Sequence, residues 1–300
     1  MTGRVIGIIG GSGLYQIEGM TGVAWRRIES PFGQPSDALC FGRLDGVELV
    51  FLPRHGRGHP LPPGEINYRA NIDVLKRAGV TDLIALSAVG SFRENLPPGT
   101  FVLADQFIDR TYGRNSSFFG TGCVAHVSLA HPVCRRLGGH LAAAGRTVAI
   151  APVRGGTYLA MEGPQFSTLA ESRLYRQWGC DVIGMTNMPE AKLAREAEIC
   201  YATVAMVTDF DCWHPDHDHV TVDMIVATLL ANADKAKALV KAVVPLIARD
   251  GVCCPQSCDR ALDHALITAP DKRDPKLLKK LDAVAGRVLR PAGKGKTRRG

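Results

Sequence analysis

The sequence predicts an α/β protein, one domain whose central, mostly parallel sheet is covered by helices on both faces. Three observations carry this. Short runs rich in β-branched residues alternate along the chain with amphipathic stretches at helical spacing. Those runs are apolar nearly throughout, the pattern of strands buried on both faces. Between them no stretch is rich enough in Pro, Gly or Ser to divide the chain before about residue 250. With 300 residues, 46% of them apolar, one large core is expected over residues 1–285, followed by a basic tail at 286–300.

Strands are expected over residues 5–9, 47–52, 82–87, 101–104, 147–150, 182–185 and 201–207. Helices are expected at 65–79, 129–145, 167–179 and 188–199, and a long terminal one at 222–248. Three of the amphipathic stretches end at a glycine suited to a helix cap: Gly79, Gly145 and Gly179.

Chemistry is concentrated at strand ends. The first strand runs into Gly10, Gly11, Ser12 and Gly13, a turn whose N–H groups can converge on an anion. It fits neither a dinucleotide fingerprint, since Gln16 stands where a third glycine is needed, nor a P-loop, since no Gly-Lys-Ser/Thr follows. The 47–52 strand leads into LPRHGRGH, with Arg54, His55, Arg57 and His59 within six positions. Buried unpaired, these groups carry a large desolvation cost, so water or an anion is expected beside them, with Arg54 gripping a phosphate through two parallel donors. Ser87 and Ala88 follow the next strand and Thr186 another. Ligands in open α/β sheets gather outside the carboxyl ends of strands, so Ser12, Arg54, Ser87 and Thr186 are expected around one place. The 201–207 strand ends in TDFDCW, where Asp209 and Asp211 flank Phe210. In extended backbone both carboxylates point to one side, able to hold a metal, run acid–base chemistry or accept from an amino-substituted heterocycle; helix capping is the plainer alternative.

His214, His217 and His219 in HPDHDH fit an exposed loop better than a coordination shell. Nine cysteines, an odd number, fit reduced thiols. Cys253, Cys254 and Cys258 cluster, but lack a fourth ligand and paired Cys-x-x-Cys spacing, so no metal is expected. The formal charge is +7, and Arg287, Arg290, Lys294, Lys296, Arg298 and Arg299 supply six positive charges in the last fourteen residues. The body is thus near neutral and the tail reads as disordered and solubilising, making nucleic acid an unlikely partner. No run approaches a membrane span and the N-terminal stretch lacks a signal-peptide layout, so a cytoplasmic location is expected.

Seven segments, GIIGGSGL, LPRHGRGH, NYRANIDVLKRAGV, SAVGS, DQFIDRT, MEGPQFST and GMTNMPEAKLAREAEICYATVAMVTDFDCW, together resemble the trimeric purine nucleoside phosphorylase family over residues 4 to about 247. The resemblance implies a single domain with a mixed, mostly parallel sheet flanked by helices, a homotrimer, and phosphate as co-substrate with no cofactor. It places phosphate on Ser12, Arg54, His55, Ser87, Ala88 and Thr186. Asp209 would attend purine N7 and the 6-amino group with Asp211 beside it, Met185 the ribose and Phe166 the base. His126 would reach the 5′ pocket of a neighbouring subunit.

Three positions bear on the substrate within that resemblance. Members cleaving 6-oxopurine nucleosides carry glutamate at Ser167 and asparagine at Asp209, and members binding a 5′-hydroxyl carry histidine at Ile225. A carboxylate accepts from a 6-amino group but repels a 6-oxo group, and an apolar wall of Ile225 and Val222 suits a methylthio group. The implied reaction is phosphorolysis of 5′-methylthioadenosine to adenine and 5-methylthioribose 1-phosphate, a step of methionine and purine salvage. The alternatives are a methylthioinosine or general purine nucleoside phosphorylase, a histidine-type phosphohydrolase through His55, and a nucleic-acid binder through the tail.

Overall fold

The computed structural model describes residues 3–11, 17–214, 222–251 and 253–289. Eleven strands form one mixed sheet among them: β1 (Val5–Gly10), β2 (Thr21–Arg26), β3 (Leu39–Leu44), β4 (Val47–Pro53), β5 (Asp82–Ser91), β6 (Phe101–Leu103), β7 (Gln106–Arg110), β8 (Val153–Arg154), β9 (Thr157–Met161), β10 (Val182–Gly184) and β11 (Cys200–Asp209). The helices are α1 (Tyr68–Arg77), α2 (Arg135–Thr147), α3 (Leu169–Gln177), α4 (Asn187–Glu196), α5 (Val222–Ala248), α6 (Pro275–Lys280) and α7 (Gly286–Leu289).

The sheet branches at β5. Its first half pairs in parallel with β1 on one side and β11 on the other, while Gly90 and Ser91 pair antiparallel with β10. Since β4 runs parallel to β1, the carboxyl ends of β1, β4, β5 and β11 open on one edge. There the Arg54 N–H donates to the Gly10 carbonyl at 2.9 Å.

Helices cover both faces, which is why the strands are apolar throughout. Ile72 and Leu75 of α1 join Leu193 and Ala194 of α4 in one core layer. Leu137 and Leu141 of α2 join Leu239 and Val243 of α5 in the other. Each such fully buried aliphatic side chain contributes roughly 2 kcal/mol.

The five expected helices are present, with Gly79 and Gly179 at positive φ (85° and 76°) just past α1 and α3. Gly145 is not a cap: it lies buried inside α2, which runs on to Thr147. The strand expected at 147–150 is therefore absent. The chain turns there through Ala149 and Ala151 at positive φ, and the strand comes later, at β8. Strands β2, β3, β7 and β9 are not among those expected. Three of them are exposed, peripheral or interrupted by glycine and arginine, so period-2 and apolar-run signals are weak.

The tail begins later than expected. Residues 286–289 are α7, whose Val288 and Leu289 pack against the core. Arg287 donates to Glu198 (Nε to Oε2 2.8 Å) and pairs with Asp263. Residues 290–300 lie outside the described residues. No helix among the described residues is long and apolar enough to cross a membrane.

Candidate active site

Arg54 emerges from β4 with its side chain almost wholly buried. Its fork is occupied by protein. Nε donates to Glu190 Oε2 at 2.8 Å, Nη2 to Glu190 Oε1 at 3.0 Å and to the Ile9 carbonyl at 3.3 Å, and Nη1 to the Leu86 carbonyl at 2.8 Å. Burial alone depresses a guanidinium pKa, but the Glu190 charge and hydrogen bonds more than offset it, so Arg54 stays charged. The two parallel donors expected to hold phosphate thus hold Glu190, leaving one Nη1 hydrogen unspent among the described contacts. Glu190 is absent from the residues expected at the site because its partner lies 136 residues away, and its helix carries several other polar residues, so no local pattern singles it out.

The other basic groups of LPRHGRGH find partners too. Arg57 forms a bidentate pair with Asp37 (Nε to Oδ2 3.0 Å, Nη2 to Oδ1 3.0 Å) and lies over the Trp25 ring at 4.2 Å. His55 donates Nδ1–H to the Leu61 carbonyl at 2.9 Å and stacks on His59 with ring centroids 4.0 Å apart. Burial, reinforced by the Arg54 charge, lowers its pKa to about 4, so His55 is a neutral imidazole at pH 7 with Nε2 as an acceptor.

The two hydroxyls do converge, though not as expected: β5 runs on to Ser91, so Ser87 lies within the strand, and Thr186 comes to it from β10, which is antiparallel to β5. Ser87 Oγ lies 3.4 Å from Thr186 Oγ1 and 3.2 Å from the Tyr158 hydroxyl, with Ser87 and Thr186 both buried. Ala88 follows on the same strand. Thr186 stands at the N-terminus of α4 with no side-chain bond into the helix, so its hydroxyl is available to a ligand. Ser12 falls outside the described residues.

Arg114, not among the residues expected at the site, fixes the backbone beside Thr186. Nη1 donates to the Met185 and Met188 carbonyls at 2.6 and 2.7 Å, and Nε to Glu162 Oε1 at 2.7 Å. This sets the position of Met185. Phe166 is half exposed, and Ser167 is buried with its carbonyl accepting from Cys212 Sγ at 3.4 Å.

Asp209 ends β11 at a bulge beside β5. Its Oδ2 accepts from Thr208 Oγ1 at 2.7 Å and its Oδ1 from the Asp211 N–H at 2.8 Å. That Asx turn, with Asp211 at φ 52°, departs from the extended alternation expected for the pair. The two carboxyls are still neighbours, because the chain doubles back. Burial raises the pKa of Asp209, opposed by its two donors. Burial also pushes Asp211 up to about 6, with the Asp209 charge adding to it, and Asp211 Oδ2 is buried without a hydrogen-bond partner. A Cβ at Gly90 would stand 2.9 Å from Asp209 Oδ1, so only glycine lets the carboxyl pack against β5.

His126 is exposed, and its N–H donates to the Ala265 carbonyl at 2.8 Å. Val222 and Ile225 lie in α5, but their side chains are outside the described ones. His217 and His219 fall outside the described residues, while His214 stacks on Phe210. Cys253 is exposed and separate from Cys254 and Cys258, which are buried.

This collection of hydroxyls and a carboxyl pair suits an anion next to a nitrogen heterocycle. A protein of Bradyrhizobium diazoefficiens described as S-methyl-5′-thioadenosine phosphorylase is 68% identical over 290 residues, covering 97% of this chain and all of the other. One of Rhodospirillum rubrum with the same description is 65% identical, covering 95% and 97%. The crystal structure of a methylthioadenosine phosphorylase from an antarctic soil metagenomic library superposes with a TM-score of 0.88 at 48% identity, covering 95% of this chain and 99% of that one. The sequence profile of the Phosphorylase superfamily matches residues 5–245, a span reaching from β1 through the carboxyl pair into α5, and the chain belongs to that superfamily.

Proposed function

We propose that this chain cleaves the N-glycosidic bond of 5′-methylthioadenosine with inorganic phosphate. A phosphate oxygen bonds to the anomeric carbon as the carbon–N9 bond breaks, and the electron pair leaves with the purine, which gains a proton at N7. The products are adenine and 5-methylthioribose 1-phosphate. The observation that carries this reading is the carboxyl pair at the end of β11, the half-buried Asp209 with its pKa raised by desolvation beside the buried Asp211. As a carboxylate Asp209 accepts from a 6-amino group and holds, by charge and hydrogen bond, the proton that N7 gains as negative charge develops on the leaving base.

Phosphate belongs beside Ser87, Ala88 and Thr186, where two buried hydroxyls meet, with neutral His55 and the remaining Arg54 hydrogen at its edge. An anion held there stabilises the positive charge that builds on the ribose. Met185 and Phe166 flank ribose and base, and the apolar residue types at Val222 and Ile225 suit a methylthio group better than a hydroxyl. Phe166 and His126 are exposed on the single chain, which fits sites completed across a homotrimer. The reaction needs no cofactor, and nine cysteines, none of them in a disulfide, fit a cytoplasmic setting.

Steady-state kinetics with methylthioadenosine, methylthioinosine, adenosine and inosine, with and without phosphate, test the proposal. Methylthioadenosine turnover that vanishes without phosphate is expected. Turnover independent of phosphate, or a preference for inosine, overturns it.

A further inference from the structure

Far from the carboxyl pair, four cysteines from three separate parts of the chain meet in the core. Cys134 stands at the N-terminus of α2, Cys200 opens β11, and Cys254 and Cys258 come from the loop and 3-10 turn after α5. All four are buried, and their sulfurs lie within 4.8 Å of one another. We propose that these four cysteines bind one zinc ion as a tetrathiolate.

The spacing is that of a mononuclear tetrahedral site. A Zn–S bond of about 2.3 Å puts neighbouring sulfurs roughly 3.8 Å apart, and Cys134 Sγ lies 3.7 Å from Cys254 Sγ. A disulfide needs about 2.05 Å, and one sulfur cannot serve three others at once. The scaffold is rigid: Cys134 N–H donates to the Tyr201 carbonyl at 2.8 Å, Cys200 N–H to the Thr81 carbonyl at 3.0 Å, and Ser257 N–H to the Cys254 carbonyl at 2.9 Å. Gln256 closes the remaining side, its Oε1 3.6 Å from Cys134 Sγ.

The surroundings suit a dianionic centre. The walls are apolar, with Leu137, Ala202, Val243 and Ile247 in the same core layer, so water is excluded. The Arg136 guanidinium reaches Cys200 and is itself held by Asp82 and Asp250. Arg4 donates to the Gly251 carbonyl at 2.5 Å and to that of Cys253 at 3.4 Å, bringing a second positive charge to the same loop. A set of four thiolates and no open position marks a structural rather than a catalytic ion.

The place of the cluster in the fold agrees with a structural role. Cys200 and Asp209 are opposite ends of β11, about 30 Å apart at ~3.3 Å per residue. The ion would instead fasten residues 253–289, which supply Leu262, Ala265 and Leu281 to the other core layer and whose Ala265 carbonyl anchors His126. The sequence suggested no metal because only Cys254 and Cys258 are neighbours in the chain; the other two ligands arrive through folding.

The test uses the full chain purified without chelator or added metal. Elemental analysis should find one zinc per chain, lost in the Cys254→Ser/Cys258→Ser variant. Removing zinc from the wild type and replacing it with Co2+ should produce the thiolate-to-metal charge transfer and intense visible bands of a tetrahedral tetrathiolate, with thermal stability recovered and kcat/KM changed less than about twofold. Should the double variant fail to fold, titrating wild-type thiols with a mercurial settles the matter: zinc release should track the modification of four thiols. A metal-free protein with two disulfides by mass, a reduced protein that takes up no Co2+ into thiolate coordination, or zinc released without change in thiol reactivity overturns the proposal.

Discussion

Arg54 and Glu190 form a buried two-pronged ion pair, 2.8 and 3.0 Å, joining the end of β4 to the first turn of α4. The Tyr201 hydroxyl donates to the same carboxylate at 2.9 Å. Glu190 therefore ties together the three elements whose ends carry Arg54, Thr186 and Asp209. In this pair the arginine acts first as a strut that sets the spacing of the site.

Breaking the pair from one side should unfold much of that corner. Arg54→Ala leaves the Glu190 carboxylate buried and uncompensated, and a loss of about 3–5 kcal/mol in urea unfolding is expected. Arg54→Met combined with Glu190→Met should regain most of that stability, since apolar residues of similar size replace both charges. Phosphate use should stay impaired in the double variant, because the spacing of Ser87 and Thr186 relaxes. Equal stability of the single and double variants would show the pair carries little.

Exchanging Asp209 for Asn keeps the size and trades a carboxyl for an amide. The amide donates to a 6-oxo group and still faces N7, but lacks the charge that holds the proton gained there. Methylthioadenosine cleavage should fall about 10²-fold or more, the scale of one preorganised charged contact, while methylthioinosine cleavage falls less or rises. Ratios of kcat/KM for the two substrates check this, and an equal decline in both would make Asp209 a general structural contributor.

Acidity offers an independent reading of the carboxyl pair. With Asp211 pushed up to about 6 by burial against an unfolded value near 3.8, the folded chain binds more protons between those pH values. Stability contributed by this group is present below about pH 4 and lost as pH rises through 6, a fall of about 3 kcal/mol. Asp211→Asn should flatten this part of the stability curve and leave the variant more stable than wild type at pH 7, as chemical denaturation across pH 4–7 would reveal.

Shared sites make a further expectation. Asp209→Asn and His126→Ala chains, each weakly active alone, should regain activity when dissociated, mixed and reassembled, because some sites then carry neither change. A mixture as inactive as its parents despite confirmed subunit exchange would place His126 outside the site.

Much of the scaffold was legible in the chain, and particular residues show why. The helices at α1, α3, α4 and α5 announce themselves by apolar spacing and, for α1 and α3, by Gly79 and Gly179 beyond the last turn. Ser87, Thr186 and Asp209 were recognisable because each ends an apolar run; parallel pairing of β5 with β1 and β11 sets the edge that carries Asp209, while Thr186 reaches Ser87 through β10, which runs antiparallel to β5. The strand expected at 147–150 failed because α2 overrides local β propensity for as long as its buried face, through Gly145, still packs. Strands β2 and β7 were missed because solvent on one side removes the apolar run that marks an interior strand.

By itself the sequence determined the alternation of strand and helix, the single core and the chemistry available at the strand ends, since these follow from periodicity over short runs of neighbouring residues. Tertiary structure alone decided how that chemistry is spent. Whether Arg54 faces phosphate or Glu190, whether Asp211 is solvated or forced up to about 6, and whether Cys254 and Cys258 meet Cys134 and Cys200 all depend on burial or on partners distant in the chain. A charge or thiol takes its state from the dielectric and partners around it, and folding is what supplies them.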